Sequence, residues 1–449
     1  MTRPRTRRTR GHSKVSSGPS RTRLSPRVPA TRHVCGVGPR SIRLGLIACT
    51  LVAACLAQSA AFEQGGFLEN RALFYPRAGV TDQTQRIDEL LLRWEARLRL
   101  SEGWRIFVGI DAQTDTHNQV ERTWHLSWDD RGIARPDWAL RTAFLQYTHG
   151  VFRLEAGKQV LHWGVMDLFP PTDRFAPRDY LSPSGSDYLG IWAARAVIDS
   201  GTHSLELIYG PRFTPSRAPL IGQRWVLLPP FSPLFTYRVD APEYPGGPQL
   251  GLRYHEVRSP FEYSLYFYQG FQTLPSLPSQ VNFLRRTVDY LPVYPQVRML
   301  GADFTMPWRG LLWKAESSYE TSASAYSHNI WTYEAQVEKS WDKLQLAGGY
   351  SGEFVTDDRD FAALAIDRSL RKSFTGKVVW TPTAKQSLSG EWYLRQTGAA
   401  FITRIVYSRR LADSLRASVG WNWITARKND PIEPYSVNSF LSLQLRYSF

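Results

Sequence analysis

Six charged residues that fall close together are the ones whose types and spacing suit a function: Lys158, Asp167, Asp173, Arg174, Arg178 and Asp179. All but Lys158 sit in a stretch stiffened by Pro170, Pro171 and Pro177. Both charge signs on a short, stiff loop suit a pore constriction, where facing acid and base set a transverse field that sorts solutes by charge and size. The same residues can instead pair with one another and fix the loop's fold, or solvate its outer face. Lys158 and His162, where the preceding strand ends, would line the mouth.

Other chemistry has no matching pattern. There is no His-Glu-x-x-His zinc motif, no phosphate-cradling loop ending in Lys and no Gly-x-Ser-x-Gly elbow. Cys35, Cys49 and Cys55 all precede Phe62, so the rest of the chain carries no thiolate ligand and no disulfide. Seven of the nine histidines lie after that point, widely scattered. No catalytic residue, metal or cofactor is expected.

The charge is just as unevenly placed. The sequence holds 55 basic and 40 acidic residues, and 12 of the basic ones, with no acid, lie in Met1–Arg43. The remainder of the chain is close to neutral, which argues against a nucleic-acid partner. After Arg40 and Arg43 comes Leu44–Ala57, apolar or small except for Thr50, and then Ser59-Ala60-Ala61. This is the order of a secretory signal, with cleavage expected after Ala61. A membrane anchor is the competing reading, but the run is short for a span of ~20 residues. Val52-Ala53-Ala54-Cys55 also resembles a lipoprotein acceptor. The expected organisation is a leader over 1–61 and one domain over 62–449.

That domain must be built from strands. It has no apolar run long enough for a membrane helix, and it contains all 59 aromatic residues. In Leu92–Leu100 every second residue is apolar, Trp94 and Ala96 included, and every intervening one is Arg or Glu. A helix would scatter those charges, whereas a strand puts them on one face. Trp104, Ile106, Val108, Ile110 and Ala112 repeat the alternation, as do Leu205, Leu207 and Tyr209, and Leu388, Gly390, Trp392 and Leu394. Apolar out and polar in is the pattern of a transmembrane β-barrel. At the C-terminus, Leu441, Leu443, Leu445, Tyr447 and Phe449 alternate with polar residues. Such a strand with a terminal aromatic resembles the signal read by the outer-membrane assembly machinery.

Turn signals set the count. Short connections are expected near 410–414, 381–385, 341–343, 307–310, 259–260, 199–202, 149–150 and 101–103. Mostly longer ones are expected near 426–436, 397–400, 356–370, 321–328, 272–295, 211–248, 161–187 and 113–136. This gives about 17 strands from Leu90, and bacterial barrels are normally even. Gly66–Tyr75 supplies the missing first strand, so the fold expected is an all-β, transmembrane antiparallel barrel of about 18 strands, with 16 as the alternative. The segment 211–248, with nine prolines, reads as an irregular loop. Too few residues precede the barrel for a plug domain.

Ala139–Pro183 carries a family resemblance. A strand over Leu140–Thr148, a turn at His149-Gly150 and a strand over Val151–Val160 lead into Trp163-Gly164 and the Pro-rich loop. The segment resembles an uncharacterised family of porin-like outer-membrane barrels through Gly157, Lys158, Gln159, Trp163, Gly164, Asp167, Asp173, Pro177, Arg178 and Asp179. Ala176 stands where that pattern has Asn. Gly66–Asn70 and the Leu90–Leu100 strand also look like that family's opening strands. The likeness covers about a third of the domain and the C-terminal strand; a more distant one is to alginate-export porins. It implies a barrel and a channel. The leader, the alternation and the C-terminal strand lead to the bacterial outer membrane, with outer-membrane lipid and the assembly machinery as partners, and the leading expectation is passive passage of small solutes. The substrate is not implied. The alternatives are a conduit for hydrophobic or lipid-like molecules, suggested by the apolar run Trp225–Phe231, and a structural or surface-recognition barrel.

Overall fold

The computed structural model describes residues 61–79, 81–181, 187–226, 234–359 and 370–449. The expected leader over 1–61 lies outside these residues except for Ala61.

Eighteen long strands form one closed wall. They are β1 (Phe62–Phe74), β2 (Arg86–Arg99), β3 (Trp104–Asp115), β4 (Trp138–His149), β5 (Phe152–Gln159) and β6 (Ile191–Asp199). Next come β7 (His203–Gly210), β8 (Gln249–Arg258), β9 (Phe261–Phe271), β10 (Gln296–Trp308), β11 (Leu311–Thr321) and β12 (Asn329–Ser340). The circuit ends with β13 (Leu344–Asp357), β14 (Ser373–Thr383), β15 (Gln386–Arg395), β16 (Ala400–Arg410), β17 (Leu415–Ala426) and β18 (Phe440–Ser448). Each strand runs antiparallel to the next, and β1 pairs with both β2 and β18, from Phe67↔Ser448 to Phe74↔Leu441. Closure leaves no unpaired edge, so backbone groups of the wall are satisfied within it.

The first strand demanded by parity is therefore present, and it starts earlier than expected, at Phe62. The short and longer connections alternate around the barrel as expected, and the start of β1 and the end of β18 both fall at the short-turn end.

Alternation decides which residues face in. On β12, Thr332, Glu334, Gln336 and Glu338 are buried toward the lumen, while Trp331 on the other face is 47% exposed. On β2 the arginines of the Leu92–Leu100 run point inward and the apolar residues outward, where Leu90 and Leu92 are exposed. Exposed outward aromatics form two girdles. Trp104, Trp308, Trp341 and Trp380 lie toward the short turns, and Tyr209, Tyr319, Trp331, Phe354 and Phe374 toward the longer loops.

The 211–248 segment departs from an irregular loop at one place. Thr236–Val239 pairs with Thr287–Tyr290, which pairs with Ser279–Asn282, making a small sheet in the long loops. Phe235, Tyr237 and Val239 pack on Leu277, Val288 and Tyr290 there. This two-residue period is visible in the sequence, but the surrounding prolines obscure it. A 3-10 turn, Glu433–Asn438, occupies the last long loop.

Candidate functional site

The site is made by the loop after β5, which folds into the barrel instead of standing outside it. Two motif glycines allow the fold. At Gly157, in β5, φ is +132° and an added Cβ would lie 2.2 Å from the Ala143 carbonyl oxygen. At Gly164, φ is +91° and an added Cβ would lie 2.6 Å from a Glu316 carboxylate oxygen and 2.9 Å from Pro170. Both positions demand glycine because an L side chain is strained at such φ and has no space. Gln159 holds the strand exit by donating to the Ala193 carbonyl at 3.0 Å.

From there the chain crosses the lumen as a strap. Its near half packs apolar side chains against β6–β10. Leu161, Trp163 and Phe175 form one buried cluster with Ile191, Ala193, Ile208, Tyr266, Tyr268, Val297 and Met299. Burial of large apolar side chains contributes about 1.5–3 kcal/mol each, so this contact fastens the strap and fills that side of the barrel. The far half continues along the next stretch of wall, from β11 to β15. Glu316 on β11 accepts from the backbone N–H of Val165 (2.9 Å), Met166 (3.2 Å) and Thr172 (2.8 Å), and from the Thr172 hydroxyl (2.8 Å). Ser318 donates to the Pro171 carbonyl at 3.0 Å. Asp167 lies 3.3 Å from Gln336 on β12 and 3.4 Å from Lys377 on β14, and Phe169 meets the Tyr393 ring of β15.

The other side is lined by charge. A cavity of about 290 Å³ lies against β18 and β1–β4, with Arg71, Arg93, Arg135, Arg141, Arg217 and Arg446 on its wall. Acids are interleaved with them. One chain of ion pairs runs Lys158–Asp130 (2.5 Å), Asp130–Arg217 (2.7 Å), Arg217–Asp179 (3.2 Å), Asp179–Arg135 (2.8 Å) and Arg135–Glu89 (3.4 Å). It continues through Arg71 and Glu69 to Arg446 on β18. A second chain joins Arg93 to Asp111 (2.8 Å) and Asp187 (2.5 Å), and Arg141 to Asp187 (3.3 Å). Phe67 carries the guanidiniums of Arg93 and Arg446 at 5.4 and 4.1 Å from its ring centre.

Burial works against charge on the Asp179 carboxyl, but the Arg135 and Arg217 guanidiniums beside it outweigh burial and hold its pKa below the usual carboxylate value. Asp187 is lowered in the same way, against burial, by Arg141 and Arg93. Burial also opposes charge on Arg135, and Asp179 and Glu89 reverse that, holding its pKa above the ordinary one.

The predicted residues divide into groups. Lys158 does not line the mouth. It is wholly buried, its ammonium held by Asp130 and by the Leu140 carbonyl at 2.6 Å. Asp179 is buried in the ion chain, and Asp173 accepts from the Trp163 N–H at 2.9 Å, so both hold the fold of the strap. Arg174 is tied to Glu320 of β11 at 3.1 Å. Arg178 donates to the Tyr188 hydroxyl at 2.7 Å and stacks on its ring, with no carboxylate at ion-pair distance among the described residues. Asp167 stays part-exposed. Pro177 and Trp163 are buried, and Ala176, where the motif pattern has Asn, is buried as well. Glu316, Arg135, Arg217 and Asp187 escape sequence reasoning; the charged face of the Leu92–Leu100 strand is the one signal that points to the Arg93 wall.

The loop after β7 adds further contacts among the long loops. Arg217 joins it to the strap, and Arg224, fully buried, reaches the first long loop. Arg224 donates to the carbonyls of Thr84 (2.8 Å) and Arg77 (2.9 Å) and lies over the Tyr75 ring. Asn438, in the last long loop, donates to the Arg224 carbonyl at 2.7 Å. Trp225 packs against residues of the first and last long loops, and Val226 is buried. Residues 227–233, which hold the rest of the apolar run, lie outside the described residues.

A closed antiparallel barrel of eighteen strands is a fold found among outer-membrane porins. The chain is similar in structure to OccAB4 of Acinetobacter baumannii, with TM-score 0.53 and 8% identity over 87% of this chain and 99% of that one. It is also similar to OccAB3 of the same organism (TM-score 0.51, 10% identity, 86% and 99% covered) and to a BenF-like porin of Pseudomonas fluorescens Pf-5 (TM-score 0.51, 8% identity, 86% and 98% covered). At such identities the likeness is one of fold. No family model and no curated protein matches the sequence, so the resemblance to an uncharacterised porin-like family rests on the motif residues and this fold.

Proposed function

We propose that the chain is a channel of the bacterial outer membrane for the passive passage of small hydrophilic solutes. The observation that carries this reading is the divided lumen. The strap fills the side against β6–β10 with apolar packing, and a cavity of about 290 Å³ lined by charge stands on the other side, along β18 and β1–β4, where we place the passage. Arginines and carboxylates on that wall neutralise one another pairwise, so the passage offers local fields rather than one sign of charge. Small polar solutes are the class that such a wall admits. The outward apolar face and its two aromatic girdles support a place in lipid.

Secretion with cleavage after Ala61, outer-membrane lipid as surroundings and recognition of the C-terminal strand by the assembly machinery belong to the same proposal. Supporting the last, Leu441, Leu443, Leu445, Tyr447 and Phe449 all lie exposed on the outward face. The conduit for hydrophobic molecules has less support, because Trp225 and Val226 are taken up in packing between loops.

The test is conductance of the purified barrel in planar bilayers. Stable ohmic steps are expected. Silence from a folded barrel, as judged by heat-modifiable gel migration, rules the channel out.

A further inference from the structure

Four donors converge on the carboxylate of Glu316, from both sides of the strap's far turn: Val165 and Met166 before it, Thr172 after it. One side chain of β11 therefore closes the turn on itself and joins it to the wall. Glutamate suits the place because an ionised carboxylate only accepts, with about four lone-pair sites for the four donors. An amide would turn N–H against N–H. The approach is close enough that Gly164 admits no side chain. We propose that Glu316 is the positioning residue of the constriction, setting how far the strap stands from the β11 wall and hence the width of the passage. This inference rests on the channel reading given above.

A second observation bears on how the latch is balanced. Glu334 stands directly opposite Glu316 in the β11–β12 register. It is 1% exposed, and among the described residues neither of its oxygens has a side-chain hydrogen-bond partner, with only the Phe169 N–H close by. Among the described residues, Arg371 is a cation close enough to act on it, and Glu316 and Asp167 are acids close enough to do so. A charge on Glu334 repels the latch that Glu316 makes, so the two carboxylates have opposite effects on the strap. Removing the charge of Glu316 frees it, and removing that of Glu334 does not.

The experiment uses the full barrel with two readouts. The chain after Phe62 is free of cysteine, so Met166→Cys places a single thiol in the strap; the Met166 side chain is 7% exposed, and its N–H bond to Glu316 survives the change. Glu316→Ala and Glu316→Gln are expected to label with a water-soluble thiol reagent about tenfold faster than the parent, the factor that ~1.4 kcal/mol of lost anchoring gives. Both should also show a smaller single-channel conductance, because a strap released from β11 moves into the passage on its other side. Glu334→Gln is expected to label no faster than the parent. Heat-modifiable migration checks each barrel, and if Glu316→Ala does not fold, the isosteric Glu316→Gln decides. Parent-like labelling and conductance in the folded Glu316 variants overturn the proposal, as does Glu334→Gln loosening the strap equally. A parent barrel that is silent in bilayers, with labelling still accelerated by Glu316→Gln, removes the channel reading and leaves the positioning role standing.

Discussion

Asp179 shows how single residues of this lumen are held. Its carboxylate takes both Nε and Nη2 of Arg135, at 2.8 and 3.0 Å, and Nη1 of Arg217 at 3.2 Å. All three side chains are buried. Removing one partner of such a buried group strands a charge, at a cost of about 3–5 kcal/mol where no other partner remains. Arg217 stays in place when Arg135 is replaced, so Arg135→Ala is expected at the low end, about 3 kcal/mol, seen as a lower midpoint of heat-modifiable migration. The sign of the pH dependence follows from the lowered pKa. A depressed carboxylate stabilises the fold above its unfolded value, 3.8, and that stabilisation is lost as pH falls below 3.8 toward the folded pKa. The midpoint of the parent should therefore drop in that acid window, and Asp179→Asn should flatten the Asp179 part of the drop. An unchanged acid profile in Asp179→Asn would place the sensitivity in another group. At this scale the sequence told which residues carry charge in the strap but not what they meet. Glu316 lies 144–151 residues from the groups that bond to it, with no local pattern to announce the contact. Lys158 looked like a mouth residue because nothing near it in sequence reveals Asp130 across the loops.

Strands were more legible, because each must satisfy two solvents at once. The outward face meets an apolar medium and the inward face water or the strap, so a two-residue period is imposed on every stave. It is plain in β2 and β18, and blurred in β9, where Tyr266 and Tyr268 face inward to meet the strap while the outward face is apolar as well. Long loops were less legible. The strand at Thr236–Val239 needs Thr287–Tyr290 from another loop before its period means anything. The two-solvent rule predicts the effect of a misplaced charge. Val419 of β17 is 45% exposed on the outward face, between Tyr407 and Leu443 in the register. Val419→Arg is expected to destabilise the barrel in lipid by about 2–4 kcal/mol if the site lies near the bilayer midplane, and Val419→Ala by much less. Reversible urea unfolding from vesicles measures both. Equal effects of Arg and Ala would show that this face does not meet hydrocarbon.

For the whole molecule, closure is the controlling event, and β1 is what achieves it. Thirteen register pairs join β1 to β2, and eight more join it to β18. The seam is extended past the strand by two reciprocal backbone bonds between Gly66 and Phe449, both 3.0 Å. The inward face of β1 also carries Glu69, which takes Arg71 and Arg446 and so ties the seam to the ion chain of the passage. Deleting Phe62–Phe74 would leave seventeen strands, an odd set whose first and last members, β2 and β18, run parallel where they should close. Their edge N–H and C=O groups would then face an apolar medium without partners, at several kcal/mol for each group left bare. That penalty exceeds the total stability of ~5–15 kcal/mol usual for a folded domain once only a few of the seam's bonds are lost. The expected result is complete loss of the heat-modifiable band in refolding with detergent or vesicles, whereas a deletion confined to the leader, ending at Ala61, should refold like the parent. A truncated barrel that still migrates as a compact species would mean that β2 and β18 can close without β1, and the parity argument for the first strand would fall with it.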